Sequence, residues 1–156
     1  MTPGFRLATA ADLAAVARLK ETAYAPHTAM LGYPPLPVTE DYAPRIARGE
    51  VWLLEDGPEL IGALVIELHA DHALIFSIAV APEHQGGGHA LRLLQKSDEL
   101  AQDAGLLEIR LYTNARMTRN IALYERYGYR ETGRREHPAR PPGWVVVDMA
   151  KLLTSR

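Results

Sequence analysis

Apolar positions along this chain change their period several times, and each change marks a predicted element. Phe5 to Leu7 is a short extended run, after which Leu13, Val16, Ala17, Leu19 and Ala23 recur at helical spacing to about Tyr24. Thr9, followed three residues later by Asp12, has the spacing of a capped helix start. Pro26 to Val38 contains four prolines and Gly32 and is predicted as a loop, with His27, Met30, Tyr33 and Leu36 as its apolar and aromatic content. Thr39 to Arg48 then predicts a short second helix, capped by Thr39 and stopped by Gly49.

Strand patterning follows. Val51 to Leu54 and Leu60 to Leu68 are extended runs joined by the turn residues Asp56, Gly57 and Pro58. A second turn falls at His69 to His72. Ala73 to Val80 is apolar nearly throughout, which predicts a central strand covered on both faces. Helical spacing returns from about His89 to Ala104, with Leu91, Leu94, Ala101 and Ala104 as the expected buried stripe, Lys96, Asp98 and Glu99 outward, and Gly105 as the stop. Leu107, Ile109 and Leu111 alternate with polar partners as a strand. Thr118 is placed to cap a fourth helix carrying Ile121, Leu123, Tyr124 and Tyr127, stopped by Gly128. Tyr129 to Arg134 and Trp144 to Met149 complete seven strands, the last two joined by a proline-rich turn from Pro138 to Gly143. The strand, helix, strand unit around the third helix requires a parallel pair with a right-handed crossover.

The junction at Val80 carries the clearest chemistry. A strand ends, Pro82 turns the chain, and three glycines, Gly86, Gly87 and Gly88, precede a helix beginning at His89 and Ala90. Backbone N–H groups without intrahelical partners point outward at a helix start, the dipole adds partial positive charge, and glycines admit a phosphate without a Cβ in the way. Two nucleotide loops are excluded on residues. The Walker pattern requires Lys followed by Ser or Thr, and His89 and Ala90 stand there instead. The dinucleotide fingerprint requires a third small residue where Leu91 stands, and Asp103 and Glu108 flank a helix end and a strand start, which leaves no acid on the required later strand.

A length of 156 residues is that of a single domain, and 47% hydrophobic with 23% charged residues is the composition of a soluble globular one. The net charge of −2 offers no excess of cations to displace counterions from a nucleic acid. Seven arginines from Arg116 to Arg140 either face a polyanionic cofactor or solvate helix and loop faces. Cysteine is absent, so disulfides, thiolate metal sites and a cysteine nucleophile are excluded. No apolar run has the length of a membrane span and the first residues lack the apolar core of a signal peptide, so the expected compartment is the cytoplasm. His69 and His72 share one turn, but no further ligand spacing makes them a metal site.

Gln85, Gly88 and Ala90 satisfy a QxxGxA pattern, and Asn120 to Tyr129 reads NIALYERYGY, which contains LYxxxGY. The two motifs, in this order and separated by a helix and a strand, resemble the signatures of the GCN5-related N-acetyltransferases (GNATs). The resemblance covers essentially the whole chain, read as one domain over 1–156. It implies an α/β (α+β) fold: a mixed, mostly antiparallel seven-stranded sheet with about four helices, whose central parallel pair splays to hold acetyl-CoA.

The resemblance also implies roles. Main-chain groups of Gln85, Gly86, Gly87, Gly88, His89 and Ala90 would hold the cofactor pyrophosphate, and the backbone from Ile78 through Ala79 to Val80 the pantetheine arm. Asn114 and Asn120 would meet cofactor amides, although Asn114 is equally placed to serve its turn. Tyr124 would be the general acid: a phenol of pKa about 10 is protonated at neutral pH and can donate to a departing thiolate of pKa about 8.5. The implied reaction is direct attack by a primary amine of a small molecule or peptide on the thioester, with a strand N–H near Val80 holding the oxyanion.

The chain departs from the family pattern at two places. Relatives often have an arginine where Gly87 stands, and many carry a glutamate on the strand that here reads Phe76, Ser77, Ile78. Glu67, His69, His72 and His27 are the candidate substitutes as base. The competing reading is an acyl-CoA-binding module without turnover; a different acyl donor and a homodimer through the C-terminal strands are further expectations.

Overall fold

A computed structural model describes residues 3–137, 140 and 143–154. The predicted turn residues Pro138, Ala139, Pro141 and Pro142 lie outside the described residues. Along the chain run β1 (Gly4–Leu7), α1 (Leu13–Leu31), α2 (Leu36–Thr39), α3 (Ala43–Ala47), β2 (Val51–Asp56), β3 (Glu59–Leu68), β4 (Ala73–Val80), α4 (His89–Asp103), β5 (Glu108–Asn114), α5 (Thr118–Arg126), β6 (Arg130–Glu136) and β7 (Val145–Leu152). The strands form one mixed seven-stranded sheet in the order β1-β2-β3-β4-β5-β7-β6. Its parallel pair is β4 with β5, in register from Ala73↔Ile109 to Ile75↔Leu111. By contact density the chain divides into two compact units, Met1–Glu67 with Phe76–Ser97, and Leu68–Ile75 with Asp98–Arg156.

In the first unit, Gly57 at φ +59° makes the tight β2–β3 turn, and Val16, Leu53, Leu54, Leu64, Leu93 and Leu94 pack in the core. Gly62 lies so close to its neighbour that a Cβ there would be 2.7 Å from the Ala79 carbonyl oxygen. At the entry to α1, the Asp12 carboxylate accepts the Thr9 backbone N–H at 2.7 Å and the Thr9 hydroxyl at 3.2 Å, as the Thr9/Asp12 spacing predicts.

Three expectations fail in this unit and a fourth on β4, whose residues are divided between the two units. The first helix does not end near Tyr24: α1 continues through Pro26 to Leu31, and the stop is Gly32, whose φ is +74° and whose N–H bonds to the Thr28 carbonyl at 2.9 Å. An interior proline costs about 3 kcal/mol, and the packing of Ala23 and Tyr24 just before it overrides that preference. Leu13 and Ala17 are exposed, and the buried face instead includes Lys20 and Tyr24. The predicted second helix is two pieces, with Thr39 closing α2 and Pro44 in the first turn of α3. A continuous helix would set the Pro44 ring against the Glu40 carbonyl. Finally, β4 is central but alternates: Ala73, Ile75, Ser77 and Ala79 are buried, while Leu74, Phe76, Ile78 and Val80 are half-buried.

On α4 the buried residues are Leu93, Leu94, Ser97 and Ala101; Leu91 and Ala104 are exposed. Asp98 is not outward. It belongs to the second unit, where its Oδ2 accepts Lys151 Nζ at 2.6 Å and the Tyr127 hydroxyl at 3.0 Å. Burial first, and then Asp98, push the Tyr127 phenol well above its ordinary pKa. In the same unit β7 pairs antiparallel with both β5 and β6, and Ile109, Leu111, Val146, Val147 and Met149 are buried.

Candidate active site

The first unit contains the strand, turn and glycine loop of the first motif. After Val80 a single 3₁₀ turn, Pro82–His84, leads to Gln85, whose side-chain amide donates to the Val80 carbonyl at 3.2 Å. The side chain of Gln85 therefore ties the loop back to the strand end. Gly86 and Gly88 have φ of +88° and +79°, and a Cβ built on either meets no atom within 4 Å. Only glycine adopts this backbone without strain, and the face it turns outward is open main chain. The first intrahelical bond into α4 is Arg92 N–H to the Gly88 carbonyl at 3.2 Å, so the preceding N–H groups form the free end of a 15-residue helix. His89 opens that helix with its Nδ1 buried and without a partner.

Behind this strand is a polar array the sequence analysis missed. Lys20 of α1 is fully buried, and its Nζ donates to Ser77 Oγ at 2.8 Å. Ser77 Oγ is 3.0 Å from the Tyr24 hydroxyl, which donates to the Ile78 carbonyl at 2.9 Å. Desolvation first, and then the charge of Arg45, pull the Lys20 ammonium down to a pKa of about 7. Among the described residues no carboxylate pairs with Lys20. The nearby acids are taken by Arg45, which bonds Glu40 at 2.6 Å and Glu50 and Glu67 at 2.9 Å each, while stacking 3.9 Å from the Phe76 ring centre. Burial alone would lower the Arg45 pKa; Glu40 and Glu67 outweigh it and hold the guanidinium charged. A signal existed in the sequence: Val16, Lys20, Ala23 and His27 share one helical face, so a lysine interrupts an apolar stripe.

The candidate bases separate on this geometry. Glu67 is bound to Arg45. His27 has a buried, unpartnered Nδ1, stands 5.6 Å from the Tyr24 ring, and is pushed below the usual histidine pKa by burial. His69 and His72 belong to the second unit, stacked at 4.8 Å in their turn, with His72 Nδ1 2.6 Å from Asp71. Glu59, Glu83 and His84 form a surface group whose ligand atoms lie within 4.8 Å of one another.

The second unit contains the other motif. Tyr124 is half-buried on α5, its ring 6.0 Å from that of Tyr129. Gly128 has φ +104°, and a Cβ there would meet the Lys151 side chain at 3.2 Å, which accounts for the glycine of LYxxxGY in structural terms. Thr118 does not cap α5; Met117 holds the cap position and makes no side-chain cap bond. Asn114 is buried, and its Oδ1 accepts the Arg116 N–H at 2.9 Å, so it shapes the turn out of β5. Asn120 is half-buried in α5. Of the arginines in this region, Arg134 pairs with Glu131, Arg135 pairs with Asp148, and Arg140 lies over Trp144.

Residues 16–129 match the model of the acetyltransferase (GNAT) family. The chain belongs to that family. The matched span covers most of the chain and both motifs. A probable N-acetyltransferase of Mus musculus (family 8 member 5) is 29% identical over 94 residues, which is 56% of this chain and 41% of the mouse protein, so the chain spans less than half the length of that relative. Among solved structures, the ribosomal-protein-S18-alanine N-acetyltransferase of Escherichia coli superposes with a TM-score of 0.79 at 22% identity, over 99% of this chain and 96% of the other. An N-acetyltransferase of Thermoplasma acidophilum in complex with coenzyme A gives a TM-score of 0.80 at 18% identity, over 97% and 99%. These likenesses place the fold in the GNAT class, as the paired motifs imply. Among the described residues there are five α-helices where about four were expected, because the second is split. Among the described residues no helix is long and apolar enough to cross a membrane.

Proposed function

We propose that this GNAT-family chain is an acetyl-CoA-dependent N-acetyltransferase that acetylates a primary amine of a peptide or small molecule by direct attack. Acetyl-CoA supplies the activated acetyl thioester. The observation that carries the reading is the glycine loop itself: left-handed Gly86 and Gly88, open to solvent, deliver the chain into the free N-terminus of α4. That arrangement fits a diphosphate, because unpartnered N–H groups and the positive end of a dipole face the same open surface. An arginine at Gly87 would have added a charge; the main chain from Gly86 to Ala90 would supply the donors here, since the Gln85 N–H is bonded to the Pro82 carbonyl at 3.4 Å.

The remaining roles follow the motifs. Ile78 to Val80 would hold the pantetheine arm, with Asn114 and Asn120 as further amide partners. Since Tyr24 already donates to the Ile78 carbonyl, that acceptor has one lone pair left for the arm. Tyr124 would protonate the departing sulfur; the LYxxxGY context supports this. The likeness to the coenzyme A-bound Thermoplasma acidophilum structure supports the choice of cofactor, and the E. coli alanine N-acetyltransferase supports a peptide amine among the acceptors.

Two measurements test the reading together. Calorimetry with acetyl-CoA is expected to show one site, and free CoA is expected to appear with at least one member of an amine panel. Binding without CoA release on any amine would replace the enzyme with an acyl-CoA-binding module, and no binding would remove both.

A further inference from the structure

Deprotonation of the acceptor is the step that the residues placed above leave without an owner. Relatives often have a glutamate on the strand that here carries Ser77, and Glu67 is tied to Arg45. What the first unit provides instead is a continuous line of polar atoms from a fully buried amine to the strand: Lys20 Nζ to Ser77 Oγ at 2.8 Å, Ser77 Oγ to the Tyr24 hydroxyl at 3.0 Å, and Tyr24 to the Ile78 carbonyl at 2.9 Å. We propose that Lys20 is the proton acceptor of acetyl transfer, reached from the acceptor amine through the hydroxyls of Tyr24 and Ser77. The inference rests on the acetyltransferase reading and supplies its missing base.

A lysine is an unusual base because it is ordinarily charged. The surroundings of Lys20 draw it toward its neutral form. The groups that face it carry no negative charge: Ser77 from β4 is neutral, Tyr42 presents its ring at 5.5 Å, Arg45 of α3 adds like charge, and Tyr24 on its own helix is a hydroxyl. Nothing among them stabilises an ammonium as a carboxylate would, and burial disfavours it outright. The pull to about 7 leaves a large neutral fraction at neutral pH.

The step balances. With Lys20 neutral, Ser77 donates to Nζ and Tyr24 turns its hydroxyl from Ile78 to Ser77; the acceptor ammonium then gives one proton to the Tyr24 oxygen as the Tyr24 proton passes to Ser77 and the Ser77 proton to Lys20 Nζ, leaving a neutral amine, two unchanged hydroxyls and a lysine ammonium. The amine nitrogen then bonds the acetyl carbon, the carbon–sulfur bond breaks, and the sulfur is protonated from Tyr124. The second amine proton returns to Tyr124 by way of water and the proton on Lys20 leaves to water, so one proton is released in all and both tyrosines are reset. In the charged state every hydroxyl has a consistent direction, with Lys20 donating to Ser77, Ser77 to Tyr24 and Tyr24 to Ile78.

The test compares the full chain with Lys20→Met, Ser77→Ala and Tyr24→Phe, each checked for cooperative unfolding. The wild type is expected to show kcat rising with pH through about 7 at saturating acceptor. In all three variants kcat is expected to fall at least tenfold and that rise to vanish, with KM for acetyl-CoA within twofold of wild type. A variant that merely loosens the fold would lower kcat without abolishing the pH limb. Independently of any variant's folding, the 13Cε resonance of Lys20 in the wild type, one of three lysines, is expected to titrate near 7. Wild-type turnover matched by Lys20→Met in kcat and pH profile, or a Lys20 midpoint above about 9.5, overturns the relay and leaves the acetyltransferase reading standing. No CoA release by the wild type overturns both.

Discussion

Lys20→Met changes the stability of the protein in a way that depends on pH, and the dependence can be worked out from burial alone. The folded pKa is lowered to about 7 from 10.5. Between those values the unfolded chain holds a proton that the folded chain has released, so stability rises with pH across that window and the cost is fully present below 7. At 1.36 kcal/mol per pH unit, rounded at both ends of the window, the wild type gains about 2 kcal/mol from this residue between pH 7 and pH 9. Methionine cannot titrate. Packing differences and the lost bond to Ser77 shift the variant by a constant, about 1 kcal/mol for the bond, and every other titrating group cancels in the difference. Urea unfolding of both proteins at pH 6, 7, 8 and 9 is the assay, and wild type is expected to gain on the variant by about 2 kcal/mol from pH 7 to 9. A gap that stays flat within about 0.5 kcal/mol over that range would mean Lys20 keeps its charge when folded, which refutes the reasoning.

Other perturbations read other parts of the molecule. Tyr124→Phe is expected to lower kcat by about 10²-fold with acetyl-CoA affinity unchanged by calorimetry, the range of a lost general acid. Gly88→Val keeps an open surface but forces a β-branched residue to φ +79°, so acetyl-CoA affinity is expected to fall about tenfold or more with little change in the far-UV spectrum. Gly62→Ala places a methyl 2.7 Å from a backbone carbonyl, and unfolding is expected to come earlier by about 2 kcal/mol in urea. At pH 7 an acceptor α-amine of pKa about 7.8 costs about 1 kcal/mol to deprotonate against about 4.6 for a lysine-like amine, so CoA release is expected to favour the former in a matched pair of peptides.

Motifs whose chemistry is local were legible in the sequence. Gly86, Gly88 and Gly128 depend on backbone angles that glycine alone adopts freely, and each is found with positive φ. Strand and helix types were legible for the same reason, since period reports local geometry. What was hidden depends on distant partners. Pro26 reads as a helix end until Tyr24 is seen to be anchored 53 and 54 residues away on β4. Lys20 reads as a solvated side chain until Ser77, 57 residues on, is found against it. Leu91 reads as core, yet it lies in the first turn after an open loop and is exposed, while Leu93 takes the buried place.

Ser77 and Lys20 are two ends of one physical fact. A carboxylate at 77 would face the Lys20 amine across a hydrogen bond in a dry interior, where opposite charges lower each other's energy and both remain ionised. Such a pair would hold Lys20 as an ammonium at neutral pH, and the carboxylate would be occupied by it. A hydroxyl does neither. Ser77 can accept from Lys20 when the lysine is charged and donate to it when it is neutral, so it serves both protonation states without favouring one strongly. The carboxylates Glu40, Glu50 and Glu67 complete the arrangement by gathering on Arg45. That gathering keeps negative charge away from Lys20 and leaves the like charge of Arg45 to disfavour its proton. An uncharged side chain at 77 and a lysine drawn toward its neutral form therefore belong together.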